Sequence, residues 1–463
     1  MSSHTRPSRP RVRLHVDLDG DLRPHRNTKI EAHLRVDVAA DRAPADLPAV
    51  ELAVIIAVDV AEARRAAVRH ALPAALRALP DGISFTVLGS GPEPVRCYPR
   101  GTDDWAVADG DQRRRAAFAV GSLPLHRDGP RPAGYAPWAA EARALLAGRP
   151  LSVPHLVLIT DGSSAAGETR LEEELARCAE RFTCDVFAVG ADWAPDPLLA
   201  IAERLHGTAQ FVDEGLGGAV TDAVARLRRV GPSQLAIEVT LRPSVRQVSL
   251  SEKAPRPHRL VGLPDTDRPH RWSFPTHQWE QGSRDYLLTL VAGADGDPLE
   301  TDLQFAMVSV DDVHAPVVAR WRLPRQSPPP TGPAGGDSVR GLNATTRMRG
   351  ALRDGLTALR GERPDTAREY LAQAARLAAR LGTDWVLDEI RTVADIEDAA
   401  EGRVRLRAVD AGTLGPMILR AGSRPGGPVS GFVDAPPGPR CGACRRPAGP
   451  EARHCVACGE KLL

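Results

Sequence analysis

Residues Leu52–Asp59 read LAVIIAVD, seven apolar side chains in an unbroken run followed by one carboxylate. A run of this length, rich in Val and Ile and bounded by polar residues, fits a strand covered on both faces, as in a parallel sheet flanked by helices. Asp59 then stands at the carboxyl end of a central strand. In open α/β sheets ligands bind at that edge, so the chemistry of this chain is expected around Asp59. A second buried run, HLVLITDG over residues 155–162, ends in Asp161.

From residue 50 to 230 strands and helices alternate in the order a doubly wound sheet requires. Apolar spacing predicts a helix over Ala61–Leu79, with Val68, Leu72, Ala75 and Leu76 on one face and Pro80, Asp81 and Gly82 ending it. Strands are predicted over 83–88, 95–98, 185–189 and 209–212, and helices over 112–120, 137–146, 171–181, 197–206 and 218–229. A Pro/Gly-rich loop occupies 121–134. Right-handed crossovers give the strand order 3-2-1-4-5-6, which brings Asp59 and Asp161 together.

This pair of strand-end carboxylates resembles the von Willebrand factor A (VWA) fold. In that family the first strand ends in Asp-x-Ser-x-Ser and the fourth in Asp-Gly, and together they hold Mg²⁺ or Mn²⁺. Asp59, Asp161 and Gly162 match the pattern, whereas Ala61 and Ala63 stand where the family has its serines. The family's remaining ligand is a Thr before the helix preceding strand four, and the corresponding stretch, Leu123–Trp138, contains neither Thr nor Ser. A small hard cation takes close to six oxygen ligands, and a methyl group supplies none. The chain therefore resembles a bacterial-type VWA protein with a degenerate metal-ion-dependent adhesion site, and neither Mg²⁺ nor Mn²⁺ is expected at it. Asp59, Ala61, Ala63, Asp161, Gly162 and Ser163 are read as a vestigial metal edge or partner surface. Asp59 is expected to cap its strand by bonding nearby backbone N–H groups, and Ser163 and Ser164 to cap the turn after strand four. The stretches FTCDVFAVGADW and PDPLLAIAERLHGTAQFV, residues 182–193 and 195–212, add to the resemblance, which covers roughly residues 10–410.

On either side of the α/β part the periodicity changes to two. Val12, Leu14, Val16 and Leu18, then Ile30, Ala32, Leu34, Val36 and Val38, alternate with polar residues, as do several short runs between Leu235 and Leu323. Such patterns predict half-buried antiparallel strands. The fold class is thus α/β, a mostly parallel VWA sheet over 50–230 inserted in a discontinuous β-sandwich, residues 10–45 plus 233–325. SPPPTGPAGG within the 326–338 linker reads as an extended tether. Helical periodicity returns over 339–410, with two helices joined at 361–365 and a third expected over Trp385–Ala400. The pair is read as a small helical bundle in preference to a peptide-binding repeat, since one such unit cannot bury its faces alone.

A second Pro/Gly-rich linker, 421–440, leads to the last motif, residues 441–463. Cys441 and Cys444, then Cys455 and Cys458, form two CxxC knuckles separated by ten residues. Four thiolates at about 2.3 Å suit tetrahedral Zn²⁺ with no open position, which makes a structural zinc ribbon. His454 is adjacent, but four cysteines already satisfy the ion. A redox role would need a βαβ context that is lacking.

Sixty basic against fifty-nine acidic residues give a formal charge of +1, so no global field argues for nucleic acid. No stretch approaches the roughly eighteen apolar residues of a membrane span, and the N-terminus lacks an apolar signal segment, so a cytoplasmic protein is expected. Cys97, Cys178 and Cys184 are scattered and read as small buried hydrophobes in a reducing compartment. No GxxxxGK[ST], HExxH or GxSxG motif occurs. The expectation is a non-enzymatic protein-interaction scaffold. The family resemblance implies partners in a bacterial signalling or conflict-response assembly: Ser/Thr kinases, phosphatases, phosphothreonine-reading domains or MoxR-type ATPases. Two other readings stay open: a metal-dependent adhesion module using Asp59 and Asp161, and nucleic-acid binding through the ribbon, whose Arg445 and Arg446 make it locally basic but which has no aromatic residue for base stacking.

Overall fold

The computed structural model describes residues 11–18, 20–39, 52–62, 65–91, 93–101, 103–125, 134–147, 153–162, 168–179, 181–190, 193–227, 235–276, 282–323 and 337–423, with 442, 443 and 461. Three strands come first, β1 (Arg11–Leu18), β2 (Asp21–Leu22) and β3 (Thr28–Ala39). The α/β part follows with β4 (Leu52–Asp59), α1 (Arg65–Arg77), β5 (Ser84–Ser90), β6 (Pro94–Tyr98), β7 (Ala106–Val107), α2 (Gly110–Ala119) and α3 (Ala136–Leu146). It continues through β8 (Val153–Thr160), α4 (Glu168–Cys178), β9 (Thr183–Ala188), α5 (Pro195–Arg204), β10 (Ala209–Phe211) and α6 (Leu216–Leu227). Then come β11 (Ala236–Leu241), β12 (Val245–Ala254), β13 (His258–Arg259), β14 (Leu263–Pro264), β15 (Arg271–Pro275), β16 (Gly282–Ala292), β17 (Asp302–Val310) and β18 (Val313–Trp321). The last described elements are α7 (Asp337–Arg360), α8 (Pro364–Leu381), α9 (Asp384–Val393), β19 (Ala394–Asp398), β20 (Arg403–Leu406) and α10 (Ala411–Ser423).

The described residues divide into two compact units, those within 11–39 and 235–346 in one and those within 52–227 and 347–423 in the other. In the first, β1, β3, β16, β12 and β13 make one sheet and β14, β15, β11, β17, β18 and β2 a second. Alternation puts Ile30, Leu34, Val36, Leu288 and Leu290 of the first sheet into one core with Ile237, Val239, Phe305, Val308 and Trp321 of the second. On the opposite face of the first sheet, Leu287 is covered by Val339 and Leu342 from the start of α7.

In the second unit the sheet order is β10-β9-β8-β4-β5-β6, with β7 also paired to β5. All pairings from β10 to β5 are parallel, and β6 and β7 are antiparallel to β5. Every residue of β4 is buried, and the period of two sorts them. Leu52, Val54, Ile56 and Val58 enter a core with α1, α2 and α6, while Ile55 and Ala57 enter another with α3, α4 and α5. Cys97, Cys178 and Cys184 are buried free thiols within these layers.

Of the first expected helix the described residues carry α1 from Arg65, residues 63–64 lying outside them. The helix expected over Trp385–Ala400 stops at Val393, where Ala394 turns extended at φ −152° and ψ 152° and opens the β19–β20 hairpin. Helix α10 carries the described chain into the stretch read as the second linker. From residue 347 onward the helices belong to the α/β unit: Leu419 of α10 lies in the core of α3–α5, and the Ser423 hydroxyl accepts from the Ala209 N–H at 3.0 Å. Among the described residues no helix is long and apolar enough to cross a membrane.

Candidate recognition edge

Strands β4 and β8 are parallel neighbours with Asp59 opposite Thr160, so their carboxyl ends deliver Asp59 and Asp161 to one edge. The Asp161 N–H donates to the Asp59 carbonyl at 3.2 Å, continuing the ladder past the last strand residue. Asp59 is fully buried and Asp161 is 7% exposed.

The bonds at this edge follow from hydroxyl valence. The Thr160 hydroxyl donates to Asp59 Oδ2 at 3.3 Å and accepts the Gly162 N–H at 3.1 Å. A hydroxyl has one proton and two lone pairs, so the Tyr135 hydroxyl, 3.3 Å from Thr160 Oγ1, is the donor in that pair. Burial chiefly, with the Asp59 and Asp161 charges adding to it, pushes the Tyr135 phenol well above its ordinary range despite the bond to Thr160. A phenol that keeps its proton suits the donor role. On the other side, Asp161 Oδ2 accepts the Ala61 N–H at 2.7 Å, and the Ser90 hydroxyl of β5 donates to the Val58 carbonyl at 2.8 Å.

Backbone shape completes the edge. Gly162 has φ +86°, and a Cβ there would lie 2.2 Å from Trp193 Cα, so chirality and space both demand glycine. Trp193 is 2% exposed and its indole N–H donates to the Gly190 carbonyl at 2.8 Å.

Of the residues named from sequence, Asp59, Ala61, Asp161 and Gly162 therefore meet at this edge, the first as acceptor of a side-chain hydroxyl and the third as acceptor of a backbone N–H. Ala63, Ser163 and Ser164 lie outside the described residues, as does the middle of loop 121–134. Cys441, Cys444, Cys455 and Cys458 also lie outside them. Three contributors went unread in the sequence. Thr160 is the one hydroxyl in an otherwise apolar run, a signal that was available, whereas Tyr135 and Trp193 reach the edge from loops whose course no periodicity announces. Among the described residues no group of three or more His, Cys, Asp or Glu side chains is placed to hold a metal ion.

The model of the von Willebrand factor type A domain family matches residues 52–211. A solved structure described as a von Willebrand factor type A protein from Catenulispora acidiphila is similar at TM-score 0.76 and 21% identity, covering 92% of this chain and 99% of its own. The ArnB paralog VWA2 from Sulfolobus acidocaldarius is similar at TM-score 0.52 and 10% identity, over 90% of this chain and 100% of its own. No curated protein matches significantly in sequence. Family match, sheet order and paired strand-end carboxylates agree, and residues 52–211 are a von Willebrand factor type A domain, a general protein-interaction module.

Proposed function

We propose that this protein is a non-enzymatic docking scaffold whose VWA domain recognises a protein partner through the edge around Asp59 and Asp161 without a divalent cation. One observation carries the reading: one oxygen of each carboxylate already serves the protein, Asp59 Oδ2 accepting from Thr160 and Asp161 Oδ2 from the Ala61 amide. An octahedral ion needs about six oxygens. The described edge offers it two carboxylates engaged in this way, one hydroxyl spent on bridging Asp59 to Gly162, and a methyl at position 61. That donor set does not fit Mg²⁺ or Mn²⁺. The hydrogen-bonded arrangement instead makes a rigid, preorganised rim, which suits docking of a folded partner. Signalling or conflict-response components, among them Ser/Thr kinases, phosphatases, phosphothreonine-reading domains and MoxR-type ATPases, are the partners we put forward. The C-terminal cysteines are proposed to hold one structural Zn²⁺, with docking as the ribbon's role and the cytoplasm as its setting.

Calorimetric titration of Mg²⁺ and Mn²⁺ into the full chain tests the central point. No binding at micromolar concentration is expected. Micromolar affinity that disappears in Asp59→Ala would replace this reading with a metal-dependent adhesion module. Elemental analysis of the same preparation is expected to find one zinc per chain, lost when Cys441 and Cys444 are both changed to Ser.

A further inference from the structure

The recognition edge is tied to helices far along the chain through Trp193. Trp193 lies against Gly162 at its backbone and against α10 at its ring: a Cβ on Gly415 would sit 3.1 Å from Trp193 Cη2 and 3.3 Å from Cζ3. The Trp193 carbonyl accepts from Arg360 Nη2, at the last residue of α7, at 3.0 Å. The ring centroid of Phe211 on β10 is 5.8 Å from that of Trp193. Helix α10 is held to the same region by Leu419 in the core of α3–α5, by Ser423 bonded to Ala209, and by Gly422, where a Cβ would lie 2.6 Å from Leu199 Cδ2.

We infer that α7 and α10, by clamping Trp193, position Gly162 and with it the Asp161 carboxylate, so that docking of these helices regulates the recognition edge. The reasoning is steric and electrostatic. Gly162 holds a left-handed conformation that leaves no gap against Trp193 Cα. A displacement of Trp193 cannot be absorbed by the packed layers on either side and passes to the Gly162 backbone. The Gly162 N–H then leaves Thr160, and Asp161 leaves the Ala61 amide. Arg360 and Gly415 act on the edge through Trp193, so they are positioning residues. Because linkage is reciprocal, a partner bound at the edge strengthens docking of α7 and α10 by the factor that their docking strengthens its binding. This gives the appended helices a task as the readout of the VWA domain.

The regulatory meaning rests on the edge being the recognition surface, but the mechanical link is measurable without partner or metal. Hydrogen exchange on the full chain is compared for the parent, Arg360→Met and Gly415→Leu. Both variants are expected to speed exchange of the Ala61 and Gly162 amides by about tenfold or more, while amides in the middle of β4 keep their protection. Faster exchange over residues 411–423 with unchanged Ala61 and Gly162 would overturn the inference, as would no change at the edge in either variant. If Gly415→Leu does not fold, Arg360→Met alone decides. Failure here leaves the metal-free docking reading intact, since only the cation titration bears on that.

Discussion

Asp285 shows how much a single buried group can govern. It is 1% exposed on β16, facing β3, where His33 Nε2 lies 2.9 Å from Oδ1 and Arg35 donates from Nε at 2.8 Å and from Nη2 at 3.2 Å to the two oxygens. Burial pushes its carboxyl up, but the hydrogen bonds and charges of His33 and Arg35 outweigh it and hold the group below the usual carboxylate range. A carboxyl depressed on folding contributes stability that is complete above its unfolded value, about 3.9, and is lost as pH falls through the lower folded value. Acid titration of unfolding stability from pH 5 downward is therefore expected to show a loss that Asp285→Asn flattens. At pH 7 the same substitution, which leaves Arg35 and His33 without their anion, is expected to cost about 3 kcal/mol by denaturant unfolding. An Asn variant as stable as the parent would remove this network from the account of the sandwich.

Among the elements, the turn after β8 is the most constrained. Gly162→Ala meets both a positive φ and a Cβ site 2.2 Å from Trp193 Cα, and is expected to lower unfolding stability by about 2 to 3 kcal/mol, by chemical denaturation. A loss below about 0.5 kcal/mol would mean that the turn relaxes freely. Apolar spacing located α1, but no local pattern announces the bond from the Ala61 N–H to Asp161, residues a hundred positions apart in sequence. At the β19–β20 hairpin the Ala- and Glu-rich sequence 394–401 favours a helix locally, yet Ile396 pairs with Val404 and Gly402 turns at φ +69°. Local propensity lost there to burial of Val404 against the helical core.

Across the whole molecule, long-range pairing is the organising fact. β3 aligns with β16 through eleven residue pairs, Thr28↔Ala292 to Val38↔Gly282, with the entire VWA domain lying between them in sequence. In the α/β unit, β10 ends the sheet, and α10 packs beside it with Leu419 buried and Ser423 capping the Ala209 amide. An uncovered edge strand invites pairing with another chain. Leu419→Asp, which places a carboxylate in that apolar core, is expected to free α10, cost about 3 kcal/mol or more, and increase self-association seen by light scattering relative to the parent. If association and stability stay at parental values, α10 is not the guard of this edge.

By itself the sequence determined what depends on local pattern: two-sided burial of β4 and β8, the alternating strands around them, the faces of the main helices, and the meeting of Asp59 with Asp161, which follows from crossover handedness. Tertiary structure alone decided how that meeting is used. Tyr135 and Trp193 come to the edge from loops, Thr160 turns its hydroxyl to Asp59, and α10 packs against β10 from two hundred residues downstream. None of these has a period or a motif, because each is selected by the space and the unpaired hydrogen-bonding groups that the folded sheet leaves, and those exist only once the chain has closed.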